Sequence, residues 1–407
     1  MKTTRIFVTT VVLGGWSVGA LAQTPTLGFP IGEKSRIHTN LDLGVAFDSN
    51  PGRLSSDVAQ PRSDWRALIR PGLSVNVPGS AFSMQLHSGL SINQFFGVNS
   101  KSDTTFGGSV GLSLTAGSER SAIAFSVKDN LVRTPVVLDE PGTVASDETR
   151  FREWSNRGVA KVSLRPGGGA IEFNLGYTNE MSFYDNLPWS MSHGTVLEAR
   201  WRFLPKTVAF FTGNFSFFSS EQILANNTRR SSPLTLVVGL SSALTARFAA
   251  NASVGYADTL TWADGYFSSL DGSNSRTVVG SAQVSYRVAD AITMALGYGR
   301  RVAPVILLNN FIGDSAHLTA TFAPTMRLQF RLHGNYEHRG YGIGRNVHSF
   351  TGDARVDYWF FDFLAGGLSY RVLAQAPSNP SNNSRTSGYF LETFTRHQVF
   401  MNVGLRY

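Results

Sequence analysis

The residues with the clearest chemistry are arginines that alternate with apolar residues along extended stretches of the chain. Arg200 and Arg202 flank Trp201, and Arg327 and Arg331 belong to a second alternating stretch. Four further arginines occupy comparable positions: Arg287, Arg301, Arg355 and Arg406. A guanidinium is permanently charged and suits carboxylates and other anions. The pattern therefore predicts a basic face that can contact anionic groups.

Acidic residues fall on the same predicted face but are fewer. They are Asp42, Glu172, Glu198, Glu337, Asp353 and Asp357. Two interpretations stay open for each charged residue. The arginines line a route for anionic solutes, or they form salt bridges with these acids that stiffen the structure. The basic net charge favours an anion-attracting field.

The sequence lacks motifs that would indicate catalysis. The eight His residues show no zinc-binding helical spacing, and neither a G-x-S-x-G elbow nor a Walker loop occurs. We therefore predict that the protein is not an enzyme. We also expect no cofactor, no metal ion and no nucleic-acid partner.

The elements that carry these charges are predicted to be β-strands, because polar and apolar residues alternate with a period of two. In residues 36–47, one predicted face carries Ile37, Thr39, Leu41, Leu43, Val45 and Phe47, and the other carries Arg36, His38, Asn40 and Asp42. The stretch 325–339 repeats this alternation over a longer span. Strands of this kind have one polar and one apolar face.

The connections between these strands alternate in length. Long polar connections separate short turns, which are predicted at residues 78–80, 116–120, 165–169, 204–207, 244–247, 288–291, 323–325 and 360–363. Transmembrane barrels have short turns on one side and long loops on the other. We therefore predict an all-β fold, a transmembrane antiparallel β-barrel of about 18 strands with both termini in the periplasm.

The last residues of the sequence form an alternating stretch that predicts a closing strand. Its apolar positions are Val399, Met401, Val403, Leu405 and Tyr407. A final strand paired with the first leaves no open edge in lipid. We expect these residues to close the barrel and to form the signal that the barrel-assembly machinery reads.

The beginning of the sequence predicts export. Lys2 and Arg5 precede an apolar stretch that ends in Ala20-Leu21-Ala22, as in a cleaved signal peptide covering residues 1–22; a membrane anchor is the alternative. Cleavage removes two basic residues and lowers the formal charge from +8 to 8 − 2 = +6. Residues 23–35 would then be a short periplasmic segment and residues 36–407 the barrel. The predicted location is the bacterial outer membrane, in contact with its lipid and lipopolysaccharide.

A family resemblance begins at "LGVAFDSNPGR", residues 43–53. A first strand that ends in an aromatic residue and continues as D-S-N-P resembles the β-barrel porin 2 family. "LGYGR" at 296–300, "GLSYR" at 367–371 and the ending "VGLRY" are similar to strand ends of that family. The resemblance implies an outer-membrane port of exopolysaccharide or capsule export (Wzx/Wzy-type) systems. Residues 23–35 are too few for a fused helical scaffold, so it also implies a separate periplasmic polysaccharide export protein.

Three functional hypotheses follow. The first is an export conduit for a saccharide polymer, with Arg200, Arg202, Glu198, Glu337 and the other arginines lining the pore. The second is a general or anion-selective porin for small solutes, in which the long connection 131–149 forms either a constriction or an outer lid. The third is an enzyme or adhesin built on the long loops, and no cluster of acidic and His residues supports it.

Overall fold

The computed structural model shows an all-β chain folded into one closed antiparallel barrel. The structure describes residues 28–50, 63–96, 103–118, 121–136, 151–184, 189–221, 228–263, 275–304, 310–341, 345–377 and 393–407. The predicted signal peptide, residues 1–22, lies outside them, as do most of the long connections. No helix among the described residues is long and apolar enough to cross a membrane.

Eighteen strands form the wall of the barrel, as the alternating sequence predicts. Sixteen of them are continuous: β2 (Ser35–Asp48), β3 (Asp64–Val77), β4 (Phe82–Phe95), β5 (Asp103–Ala116), β6 (Ile123–Val136), β7 (Phe151–Leu164), β8 (Ile171–Tyr184), β9 (Ser190–Leu204), β10 (Thr207–Glu221), β15 (Arg276–Ala289), β16 (Ile292–Pro304), β17 (Asn310–Phe322), β18 (Leu328–Tyr341), β19 (Arg345–Phe361), β20 (Leu364–Pro377) and β21 (Phe394–Arg406). A short strand, β1 (Phe29–Ile31), precedes them and pairs with the start of β2.

The remaining two wall strands are each interrupted once. The first is β11 (Thr228–Ser231) followed by β12 (Leu234–Ser242), and both segments pair with β10. The second is β13 (Phe248–Asp258) followed by β14 (Thr261–Ala263). Pro233 has no backbone N–H to donate, and Leu260 has a φ of 39°, so the ladder breaks at these positions.

The barrel closes between its first and last wall strands. β2 pairs with β21 from Asn40↔Arg406 to Asp48↔Gln398. Beyond this ladder, Thr39 N–H donates to Tyr407 O at 2.8 Å, and Tyr407 N–H donates to Thr39 O at 2.9 Å. The predicted closure is therefore present, and each wall strand has a hydrogen-bonded neighbour on both sides.

The two faces of the wall differ as the sequence alternation requires. Large apolar side chains are exposed on one face, such as Leu43, Phe125, Leu175, Leu296 and Met401. The intervening positions carry mainly charged, amide, hydroxyl and glycine residues, together with buried apolar side chains such as Leu68, Phe95 and Phe218. In a closed barrel the exposed apolar face is the outer one, so the polar face lines the lumen. We call these the outer face and the inner face.

The two ends of the barrel differ in the length of their connections. Consecutive strands are joined by short turns at one end, for example Asp362–Phe363 between β19 and β20, and by the long connections at the other. We call these the short-turn end and the long-loop end. β2 starts and β21 ends at the short-turn end. That this end faces the periplasm stays a prediction.

A buried polar cluster spans the closing seam at the long-loop end. Asp48 on β2 forms an ion pair with Arg396 on β21 and accepts a hydrogen bond from Gln398 Nε2 at 2.8 Å. Asn50 donates its backbone N–H to Asp48 Oδ1 at 3.2 Å and its side-chain amide to Thr395 O at 3.4 Å. The D-S-N segment therefore joins the first and last wall strands at the closing seam.

We expect Asp48→Asn to destabilise the barrel, because Arg396 would keep its buried charge without a carboxylate. Breaking a buried pair on one side costs about 3–5 kcal/mol. The measurement is the urea midpoint for unfolding from vesicles, or the temperature of the gel shift from folded to unfolded band. The matched control is Asp353→Asn, whose partner Arg371 is about one-third exposed, for which we expect at most about 1 kcal/mol. Equal effects of the two substitutions would contradict a special role for the seam.

Candidate functional site

The sequence-predicted charged residues occupy inner-face positions at different heights in the barrel. Arg331, Arg355, Arg406, Glu198 and Glu337 alternate with exposed apolar residues of their strands. Arg200 neighbours Glu198 on β9, and Arg301 lies near the long-loop end of β16. Arg202 and Arg287 are exposed near the short-turn end. Arg327 is exposed in a turn, one residue before β18 begins. The structure does not bring these residues together into a single site.

Most inner-face acids pair with arginines, and many pairs lie two residues apart on one strand. Arg200 Nε donates to Glu198 Oε1 at 2.6 Å, and Arg355 Nε donates to Asp357 Oδ1 at 2.9 Å. A strand repeats every two residues, so neighbouring side chains on one face can meet in this way. Pairs between strands include Asp353 with Arg371 at 3.0 Å. The salt-bridge interpretation therefore holds for these residues.

Glu337 is the most buried of the charged residues that the sequence predicts for the inner face. It is 5% exposed and binds Arg301 Nη2 at 2.8 Å and Arg339 Nη2 at 2.6 Å. The two guanidinium groups also lie 5.1 and 5.4 Å from the ring centroid of Phe311. This cluster carries two positive charges against one negative charge, with an aromatic ring that stabilises the cations.

Four arginines form a row around the inner face toward the short-turn end, which we call the basic row: Arg331, Arg355, Arg406 and Arg70. Arg331 and Arg355 are register partners on β18 and β19. Arg406 lies within electrostatic reach of Arg355, and Asp42 lies near both Arg406 and Arg70. The row thus crosses the closing seam from β18 to β3.

Two carboxylates of this region lie close to the wall, each opposite a glycine on the neighbouring strand. Asp357 lies opposite Gly367, where an added Cβ would come within 2.9 Å of Asp357 Oδ1. Asp42 lies opposite Gly404, where an added Cβ would come within 2.5 Å of Asp42 Oδ1. Any larger residue would push the carboxylate toward the centre of the lumen. The acids therefore lie over the glycines, close to the strand backbone.

Charge is distributed unevenly around the lumen. One charged sector covers β18 to β21 with β2 and β3, and another covers β6 to β9 with Lys128, Arg157, Lys161, Glu198 and Arg200. Between them, the described inner-face positions of β10, β12 and β13 carry no charge. They include Thr212, Asn214, Thr235, Ser241, Asn251 and Ser253. A solute in the lumen would meet a charged wall on one side and a hydroxyl- and amide-rich wall on the other.

Buried and exposed inner-face residues occur toward both ends of the barrel. Toward the long loops, Asp48 and Val347 are 5% and 0% exposed, whereas Glu180 is exposed. Toward the short turns, Asn174 is 2% exposed, whereas Arg202 is exposed. Most of the proposed constriction segment 131–149 lies outside the described residues.

Several inner-face cations were missing from the predicted set. Among them are Arg66, Arg70, Lys128, Arg157, Lys161, Arg339, Arg371 and Arg396. Arg66 and Arg70 alternate with the outward Trp65 and Ile69, so strict parity along β3 would have found them. The partners of Arg396 could not be found this way, because Asp48 lies 348 residues away in sequence.

Comparison with known proteins adds little beyond the architecture. No protein-family model matches the chain, and no curated protein matches its sequence. Among solved structures, the chain is similar to OccAB4 of Acinetobacter baumannii, with 13% identity and a TM-score of 0.48 over 91% of this chain and 98% of that chain. It is similar to OccK7 (OpdD) of Pseudomonas aeruginosa, with 9% identity and a TM-score of 0.49 over 92% and 99%. The siderophore receptor PirA from Pseudomonas aeruginosa gives 10% identity and a TM-score of 0.46 over 91% and 80%. At these values the likeness does not bear on the solute or on the mechanism.

The barrel's own surfaces define its surroundings. A closed antiparallel barrel satisfies its backbone hydrogen bonds without water, and this one exposes apolar side chains on its outer face. Together these properties are those of a barrel that spans the bacterial outer membrane. The chain is therefore an outer-membrane β-barrel with a polar inner face.

We expect Glu337→Gln to lower stability and to raise anion preference together. The substitution removes the buried negative charge between Arg301 and Arg339, and charge-assisted hydrogen bonds contribute about 1.5–3 kcal/mol each. The measurements are the urea midpoint and the reversal potential in a salt gradient. The control is Glu180→Gln, which removes the same charge from an exposed inner-face position on β8. It should shift the reversal potential with little loss of stability; a matching stability loss would contradict the buried-cluster account.

Proposed function

We propose that the barrel is a passive diffusion pore that favours small anionic solutes. The observation that carries this proposal is the basic row, Arg331, Arg355, Arg406 and Arg70, whose members are each half-buried on the inner face. Barrels of 16–18 strands are wide enough to leave an aqueous channel. A channel walled by arginines raises the local concentration of anions.

The balance of charge on the inner face supports a preference for anions. Beside the acid-paired arginines, Arg331 donates to the neutral Gln329 at 2.9 Å. Arg406 and Arg70 share the single carboxylate of Asp42 as their common neighbour. Guanidinium groups outnumber carboxylates along the basic row, so its field attracts anions. Within the basic row, Arg355 is itself paired with Asp357 at 2.8 Å, so Arg331, Arg406 and Arg70 are the members through which the row would contact a solute.

Export of a secreted polysaccharide is the second candidate, supported by the resemblance at residues 43–53. It would require the periplasmic export protein as a partner and a saccharide polymer as cargo. The central residues of that resemblance, Asp48 and Asn50, have another role in this chain, because they join β2 to β21 at the closing seam. Their presence therefore follows from barrel closure and does not require a polymer.

The test is planar-bilayer conductance of the purified barrel across a salt gradient. We expect a stable channel with a reversal potential that indicates anion preference. Replacing Arg331, Arg355 and Arg406 together by Gln should reduce the anion-to-cation permeability ratio roughly twofold or more. The matched control is Arg300→Gln, an arginine on the outer face of β16, which should leave the ratio unchanged.

Added anionic oligosaccharide separates the two candidates. Indifference of an anion-selective channel to the oligosaccharide supports a small-solute pore. Repeated transient blockade that disappears in the triple arginine variant supports the saccharide conduit. A cation-selective channel would contradict the proposed anion preference.

A further inference from the structure

The basic residues of the outer face all lie toward one end of the barrel, the long-loop end. Among the described side chains, each lies within four residues of the long-loop end of its strand. We call this set the basic belt: Arg133, His193, Arg230, Arg276, Arg300, His338, His348 and His397. The belt draws on eight different segments, from β6 to β21, and therefore extends around much of the barrel.

The rest of the outer face carries almost no charge. Apart from the belt and two acids that pair with it, the described outer-face side chains of the strands include one charged residue, Asp129 on β6. Toward the short-turn end this face exposes apolar residues such as Phe125, Leu296 and Met401. Cations at one end only of a lipid-facing surface indicate that this end meets anionic headgroups, because such headgroups attract basic residues.

Three tyrosines hold histidines of the belt in one repeated geometry. In each pair the tyrosine hydroxyl lies 2.6–2.7 Å from Nδ1 of a histidine on the neighbouring strand: Tyr177 with His193, Tyr336 with His348, and Tyr370 with His397. Each tyrosine precedes the register partner of its histidine by two residues. A hydroxyl that donates to Nδ1 leaves the imidazole proton on Nε2. His193 and His397 can then donate from Nε2 to an acceptor outside the chain.

The belt contains more cations than acids. Two of its arginines are offset by carboxylates: Arg276 by Asp258 at 3.0 Å, and Arg300 by Asp314 at 3.5 Å. Arg133 and Arg230 have no acidic partner among the described residues, and Arg230 is exposed. The belt is therefore positive even with every histidine neutral, and protonation of a histidine adds to its charge. The complementary group is an anion that accepts hydrogen bonds.

We propose that the basic belt binds the phosphate groups of lipopolysaccharide in the outer leaflet of the outer membrane. Phosphate oxygens accept strong, charge-assisted hydrogen bonds from guanidinium N–H groups and accept hydrogen bonds from imidazole N–H groups. Tyrosines of this kind lie at the boundary between hydrocarbon and headgroups, which is the level of a lipid phosphate. The acyl chains of the same lipid then contact the apolar outer face between the belt and the short turns. This inference concerns the outer face and is independent of which solute passes through the lumen.

Binding of lipid A to the purified barrel in zwitterionic detergent tests the proposal. The probes are bisphosphorylated lipid A and the same lipid without its phosphates, and the measurement is the dissociation constant by native mass spectrometry. We expect the bisphosphorylated lipid to bind about tenfold more tightly. Equal affinity for the two lipids would overturn the proposal. Displacement of the bisphosphorylated lipid by inorganic phosphate, but not by chloride at equal ionic strength, would show a site for free anions and would overturn the choice of a lipid.

A triple substitution with a matched control locates the site. The belt variant replaces three outer-face histidines by Gln, and the control replaces three inner-face histidines by Gln: His193, His338 and His397 in the former, and His87, His317 and His333 in the latter. The belt variant should bind bisphosphorylated lipid A about fivefold more weakly or worse, with no change for the phosphate-free lipid. The control should change neither affinity. Equal losses in the two variants would contradict a site on the outer face.

Replacement of the same three belt histidines by Arg separates phosphate binding from a structural role. An arginine keeps a donor and a positive charge but does not restore the hydrogen bond to tyrosine, so we expect phosphate-dependent binding to be retained or strengthened. Loss of binding in the Arg variant would overturn the proposal. If the Gln variant fails to fold, as judged by the heat-dependent gel shift, Arg230→Gln replaces it. That substitution must weaken binding of the phosphorylated lipid alone.

Discussion

The fold depends on one constraint: backbone N–H and C=O groups in lipid must be hydrogen-bonded within the chain. An open sheet would leave two edges in the membrane at a cost of several kcal/mol for each group. The β2–β21 ladder removes both edges at once. Closure then determines which face is the lumen, and therefore what each alternate residue contacts. The charged residues of the inner face line the lumen because the first and last strands pair.

Periodicity made much of this predictable. A period of two specifies a strand and its two faces without knowledge of the partners, and alternating connection lengths specify the order of strands. The eighteen-strand wall and the outward apolar residues of β21 follow from those signals. Inner and outer positions were also predictable for arginines in clear alternation. Arg70 could have been found in the same way from its neighbours on β3.

Other features depend on pairing between strands, which a single sequence does not contain. The contact of Asp48 with Arg396 joins residues from opposite ends of the chain. The position of Asp357 over Gly367 requires the register of β19 against β20. Phe311 beneath Arg301 and Arg339 requires three strands in order. The interruptions of the hydrogen-bond ladder at Pro233 and Leu260 can be recognised only when the pairing of the neighbouring strands is known.

The glycines opposite Asp42 and Asp357 allow the charge of the channel wall and the free cross-section of the channel to change separately. Asp42 and Asp357 add negative charge while occupying space that Gly404 and Gly367 leave at the wall. Charge can therefore change at these positions with little change in the free cross-section. A residue larger than glycine would do the reverse, narrowing the passage while the number of charges stays constant. The size limit of the channel and its ion preference can thus diverge independently through single substitutions.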